Sequence, residues 1–129
     1  MRKRRLKIFF DGGCQPNPGE METAVVARSI LYHTANIGHG TNDAAEWLAL
    51  IQALRVAQSL GVRDFELVGD SVLVVNQANG LQKCRSAALQ HYLEEFRALA
   101  VRYPPARIRH IGRSQNLAGI ALERIRGQR

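Results

Sequence analysis

The order of strand-like and helix-like segments predicts an α/β domain with a mixed sheet of five strands flanked by helices. Three observations carry this. Three strand-like segments follow one another near the start, close enough for antiparallel hairpins. Two later ones, Phe65 to Val68 and Arg107 to Ile111, each follow helical stretches, and a helical crossover requires parallel pairing. The chain of 129 residues, 46% hydrophobic and 22% charged, suits one globular domain with a core over 1–129 and leaves no room for a second.

Taken in order, Leu6 to Phe10 reads as a strand that ends in a turn at Asp11, Gly12 and Gly13. Gln15 to Gly19, with two prolines, cannot continue it. Thr23 to Leu31 has the composition of a second strand and Tyr32 to Gly38 of a third. Thr41 and Asn42 are good cap residues for a helix over Ala44 to Leu60, which Gly61 ends. Phe65 to Val68 is a short buried strand, and Ser71 to Gln77 a brief helix stopped near Gly80. Leu89, Leu93, Phe96 and Leu99 recur on one face of a helix over Ala87 to Arg102, which Pro104 and Pro105 stop. Arg107 to Ile111 alternates basic and apolar residues as an edge strand does, and the last helix begins near Gln115 or Asn116.

The 18 Lys and Arg residues outnumber 11 Asp and Glu, so the formal net charge is +7 and a polyanion is the natural partner. Part of the excess sits at the ends: a basic N-terminal tail over residues 1–5, and Arg124, Arg126 and Arg129 at the close, either solvated or touching phosphate. The apolar run Ile8 to Phe10 is too short for a signal peptide, and no run approaches the roughly 20 residues of a membrane span. Cys14 and Cys84 have no metal-ligand spacing and make no disulfide framework. A cytoplasmic, monomeric protein without membrane association is the expectation.

Three acidic residues stand at the ends of elements rather than on solvated faces: Asp11 after the first strand, Glu46 in the first turn of the long helix, and Asp70 after a buried strand. Each alone has an ordinary role as a turn former, a partner for the helix dipole or a helix cap. Together at one end of a sheet they repel one another unless a cation neutralises them, and hard oxygen ligands suit Mg²⁺ or Mn²⁺. Such a cluster serves two-metal phosphodiester hydrolysis, with ions roughly 4 Å apart.

Four stretches then resemble the ribonuclease H1 family in the family's own order. They are Asp11-Gly12-Gly13 through Asn17-Pro18-Gly19, Thr41-Asn42-Asp43-Ala44-Ala45-Glu46 with Trp47, Gly69-Asp70-Ser71 with Val74, Val75 and Gln77, and Ile111 to Leu122. The resemblance covers nearly the whole chain. It implies an RNase H-like fold, with the first three strands antiparallel, and a metal-dependent endonuclease that cuts the RNA strand of RNA/DNA hybrids to leave 3′-hydroxyl and 5′-phosphate ends. It also implies Cys14, Asn17, Asn42 and Gln77 beside the RNA strand and Thr41 on a DNA phosphate. Arg113 matches an arginine that binds phosphate or helps release product; an ordinary surface arginine competes equally.

Two departures stand out. The family's fourth carboxylate opens the final helix, but no Asp follows Asp70. An ungapped register puts Ile120 there, and deleting one residue puts Asn116 there. Asn116 is preferred as a catalytic residue and metal ligand, because an amide oxygen can bind Mg²⁺ and isoleucine cannot; a plain helix cap is the competing role. The basic protrusion of many relatives is also missing, since only Asn79 to Ala87 separates the helices, with Lys83 and Arg85; Arg97 and Arg102 are candidates to replace its charge. The alternative is an RNase H-like nucleic-acid-binding module whose catalysis is weakened or lost with the fourth carboxylate.

Overall fold

The structure, a computed structural model, describes residues 5–129; Arg2, Lys3 and Arg4 of the expected tail lie outside the described residues. Strands β1 (Leu6–Cys14), β2 (Gly19–Ala27) and β3 (Ile30–Thr34) form an antiparallel meander. A two-residue strand β4 (His39–Gly40) pairs with the start of β2, and helix α1 (Asn42–Leu60) follows. Then come β5 (Phe65–Gly69), α2 (Val72–Ala78), α3 (Ala87–Arg102), β6 (Arg107–His110), a 3-10 turn at Arg113–Gln115 and α4 (Leu117–Gly127). The main sheet runs β3-β2-β1-β5-β6, with β5 parallel to both β1 and β6. This is the expected mixed α/β architecture.

Alternation along the strands assigns the two faces. Ile8 and Phe10 of β1, Val25 of β2 and Leu67 of β5 point toward α1, where Trp47, Leu50, Leu54 and Phe96 complete the main core. Burial of the larger of these side chains stabilises the fold by roughly 1.5–3 kcal/mol each. The opposite face is covered by α4, whose Ala118 and Leu122 pack on Ala24, Val26 and Phe9. Sandwiched between sheet and α3, α1 buries Ala44, Ala45, Trp47, Ala49, Leu50, Ile51, Ala53, Leu54, Val56 and Ala57, far more than a single stripe.

Three boundaries differ from expectation, one of them the third strand, which spans Ile30–Thr34 rather than Tyr32 to Gly38 because the hairpin turn comes earlier. Asp11, Gly12 and Gly13 form no turn: β1 runs straight through them to Cys14, paired as far as Met21. The glycine at position 12 answers a close approach, because a Cβ there would stand 2.1 Å from the carbonyl oxygen of Ala45. The second strand starts at Gly19 and stops at Ala27, and the hairpin turn falls on Arg28 and Ser29, with φ 52° and 65°. Left-handed conformation at both residues is the two-residue turn whose twist suits a hairpin, and it ordinarily takes Asn or Gly. Here neither is present, so the turn carries no sequence signal.

Relieving that turn is expected to stabilise the protein. Left-handed backbone costs a side-chain-bearing residue about 1–2 kcal/mol, so Ser29→Gly should gain about 1 kcal/mol and raise the melting temperature by about 4 °C. Thermal unfolding followed by circular dichroism checks this; an unchanged or lower midpoint would speak against strain at Ser29.

Candidate active site

The contact at Gly12 sets the site. With no side chain between them, β1 lies against the first turn of α1, and the Gly12 N–H donates to Glu46 Oε1 at 2.7 Å. Thr41 fixes the start of that turn, its hydroxyl accepting from the Ala44 N–H at 3.2 Å. Asp11, the preceding residue on β1, points to the opposite face of the strand. Asp70 follows the C-terminal end of the parallel strand β5, where the edges of such sheets leave room for ligands. One carboxylate oxygen from each of Asp11, Glu46 and Asp70 lies within 4.8 Å of the others. The sequence-predicted acidic residues are therefore brought together.

Their electrostatics are unfavourable without a counter-charge. Asp11 and Glu46 are each 8% exposed. Burial and the neighbouring Asp70 charge push Asp11 up to about 6 from its usual 3.8, against the pull of Glu46, Arg113 and Arg126. Burial and the Asp11 charge hold Glu46 well above the usual carboxylate range, although the Gly12 N–H opposes them. Hard oxygen donors, clustered and short of positive charge, fit a divalent cation of the Mg²⁺ or Mn²⁺ kind.

Asn116 turns its amide nitrogen toward the carboxylates. It is fully buried at the start of α4, and its Nδ2 donates at 3.0 Å both to the Phe10 carbonyl and to Asp70 Oδ2. Its Oδ1 accepts from the Ala118 N–H at 3.2 Å. The Phe10 carbonyl demands a donor and the Ala118 N–H an acceptor, so the backbone on either side dictates which end of the amide faces the carboxylates. The expected metal-ligating oxygen is spent on the helix cap, and the amide nitrogen grips Asp70 instead. Ile120, the other register considered, does not take that cap position.

The expected substrate-facing residues divide. The Cys14 N–H donates to Asn42 Oδ1 at 3.0 Å, the Asn42 N–H donates to Asn17 Oδ1 at 3.1 Å, and the Cys14 thiol sits among Gly40, Asn17 and Asn42. Cys14 and Asn42 line the carboxylate cleft, Asn17 is bonded to both, and exposed Thr41 lines a neighbouring concavity. Gln77, 4% exposed like Cys14, accepts at Oε1 from Trp47 Nε1 at 3.0 Å and lines a neighbouring surface concavity with Asp43, Lys83 and Arg85. Arg113 is exposed and lies 3.6 Å from Glu123, at the mouth of the cleft. Lys83, Arg85 and Arg97 line a concavity of about 790 Å³ in the place of the missing protrusion; Arg102 does not line it.

Sequence reasoning left Arg126 open between a solvated tail and a phosphate contact and did not single out Glu22, which lies in a strand interior; the ion pair between them has no local signal. Arg126 lines the same cleft as Asp11, Glu46 and Asp70.

Comparisons with known proteins agree with this geometry. A profile of the family described as reverse transcriptase-like matches residues 10–122. Ribonuclease HI of Halobacterium salinarum is 33% identical over 126 residues, covering 94% of this chain and 63% of that protein. A bifunctional protein of Mycobacterium tuberculosis is 30% identical over 118 residues, 87% of this chain and 32% of that one. The chain thus spans less than two thirds of the length of both relatives. Among solved structures, RNase H1 of Halobacterium salinarum superposes with a TM-score of 0.84 at 33% identity, covering 92% of this chain and 94% of that one. LC11-RNase H1 in complex with RNA/DNA hybrid gives 0.83 at 28% identity, covering 92% and 93%. The match runs through β1, α1, β5 and the start of α4, which hold the clustered carboxylates and Asn116, and the chain belongs to the reverse transcriptase-like family as a member of the ribonuclease H1 family.

Proposed function

We propose that the protein is a metal-dependent endonuclease that hydrolyses the RNA strand of RNA/DNA hybrids. The observation that carries this is the convergence of Asp11, Glu46 and Asp70 within 4.8 Å of one another on an open, polar cleft. A phosphodiester dianion-like transition state needs positive charge, and nothing in a triad of carboxylates supplies it. When bound by Asp11, Glu46 and Asp70, Mg²⁺ or Mn²⁺ would supply it, together with polarisation of water and of the leaving oxygen. Water adds to phosphorus, the bond to the 3′ oxygen breaks, and that oxygen takes up a proton, giving 3′-hydroxyl and 5′-phosphate ends.

The chain's own residues position the pieces. The Gly12 N–H orients Glu46, and the Asn116 amide orients Asp70 while capping α4. In this reading Asn116 is a positioning residue. Cys14, Asn17 and Asn42 offer small polar groups to the RNA 2′-hydroxyls, Thr41 meets a DNA phosphate, and exposed Arg113 meets phosphate at the mouth of the cleft.

Incubating a labelled RNA/DNA hybrid with Mg²⁺ or Mn²⁺ should yield RNA fragments, and Asp11→Asn should lower the rate by about a hundredfold or more. Equal cleavage by parent and variant would assign the activity elsewhere. Asn116→Ala should lose about tenfold in rate, because Asp70 loses its donor, with a stability loss of about 1 kcal/mol from the cap. An alanine variant as active as the parent would refute the positioning role.

The pH dependence of the metal-free protein follows from Asp11. Its carboxyl, ordinarily at 3.8, is pushed up to about 6 in the fold, so the folded state holds the proton that the unfolded state has released as pH rises between those values. Stability therefore falls with rising pH across this window, and ionisation of Glu46, whose carboxyl is also held up, continues the fall above it. Glu22, held at about 2, contributes stability that is complete above its usual 4.5 and does not enter the comparison. In chelator, the parent should melt lower at about pH 7.5 than at about pH 5, and Asp11→Asn should shrink the difference. A parent more stable at the higher pH by the same margin as the variant would contradict this.

A further inference from the structure

Of the C-terminal arginines, Arg126 and Arg129 are tied to the sheet, while Arg124 is exposed. Glu22 on β2 is buried and accepts from Arg129 Nη1 at 3.0 Å and Nη2 at 2.7 Å, and from Arg126 Nε at 3.3 Å; His33 Nε2 lies 2.9 Å away. Burial works against the ionised form of Glu22, but its bonds with Arg129, His33 and Arg126 outweigh it and hold the carboxyl down at about 2. One carboxylate thus serves two guanidinium groups, and a positive charge is left over beside the cleft.

Arg126 holds that surplus in an unusual way. Its Nε is committed to Glu22, while its Nη2 is buried with no hydrogen-bond partner among the described residues. A charged donor left buried and unpaired is costly, which sets this atom apart from the paired groups around it. The atom lies 2.5 Å from where a Cβ on Gly13 would stand, so a side chain at position 13 would push the guanidinium away. Both Gly13 and Arg126 line the cleft that contains Asp11, Glu46 and Asp70, and the Arg126 side chain keeps 18% exposure. The Arg126 guanidinium, held from behind by a carboxylate in a residue that lines the cleft, has the planar fork that matches the paired oxygens of a phosphate.

We propose that Arg126 binds a backbone phosphate of the RNA strand adjoining the one that is cut, on the Gly13 side of the three carboxylates, with Glu22 holding its guanidinium in place. This rests on the hybrid reading of the site. Arg126 is a binding residue here, with no part in breaking the bond. It partly makes up for the missing basic protrusion by gripping the RNA strand within the cleft itself.

The test measures equilibrium binding of a labelled RNA/DNA hybrid in chelator across a salt series, with circular dichroism as a check on folding and cleavage by the parent recorded alongside. Arg126→Gln should weaken binding about tenfold and lower the slope of log affinity against log salt by about 0.7–0.9, the loss of one phosphate contact. Arg126→Lys should keep the slope and lose only part of the affinity. Glu22→Gln removes the anchor and keeps the cation, so it should melt lower while retaining the parent's slope. If Arg126→Gln binds with the parent's affinity and slope, or if Glu22→Gln lowers the slope as much, Arg126 is only a strap between α4 and β2. A parent that cuts the hybrid beside an unaffected Arg126→Gln overturns the Arg126 assignment alone; a parent that neither binds nor cuts overturns the hybrid reading and this inference with it.

Discussion

The approach of β1 onto the first turn of α1 is the constraint from which the rest of the site follows. At Gly12 the two backbones come so close that an added Cβ would stand 2.1 Å from the Ala45 carbonyl oxygen, and the same closeness lets the Gly12 N–H reach Glu46. Because neighbouring residues of a strand point to opposite faces, seating Gly12 on α1 sends Asp11 to the other side, toward Asp70 and the start of α4. The parallel partner β5, buried along its length, then delivers Asp70 at the same end of the sheet. Local chemistry at one glycine thereby aligns three distant carboxylates.

That alignment is costly, and the surroundings partly offset the cost. Arg113 and Arg126 both favour ionised Asp11, and the Gly12 N–H favours ionised Glu46, but burial and mutual repulsion still raise both groups. Asn116 adds a neutral donor to Asp70 where most of the family places another carboxylate. Glu22, on the same side of β2 as the α4 C-terminus, keeps its charge by gathering Arg126 and Arg129.

How far this was legible in the sequence depends on whether a residue's role has a local cause. The helix limits were, because caps and breakers act within a few residues: Thr41 and Gly61 bound α1, and Pro104 follows α3. The three carboxylates were, because the sequence sets each apart from a solvated helix face, although Asp11 proves to lie within β1 rather than at its end. The glycines after Asp11 looked like a turn, since a close approach from a helix more than thirty residues away leaves the same sequence mark as a bend. The turn at Arg28 and Ser29 lacked the residues that usually announce it. Asn116 was found at its cap position, but an amide carries both a donor and an acceptor, and only its neighbours Phe10, Asp70 and Ala118 decide which end faces the carboxylates. Arg126 reads as tail until Glu22, 104 residues earlier, is seen beside it.

The central claim is that Asp11, Glu46 and Asp70 act as one cation site. Calorimetric titration of the protein with Mn²⁺ near neutral pH tests it without any nucleic acid. Saturable binding by the parent, weakened about tenfold or more in Glu46→Gln although that variant stays folded, is the result the geometry predicts. Identical titrations for parent and Glu46→Gln would mean that the buried carboxylates hold no metal in common.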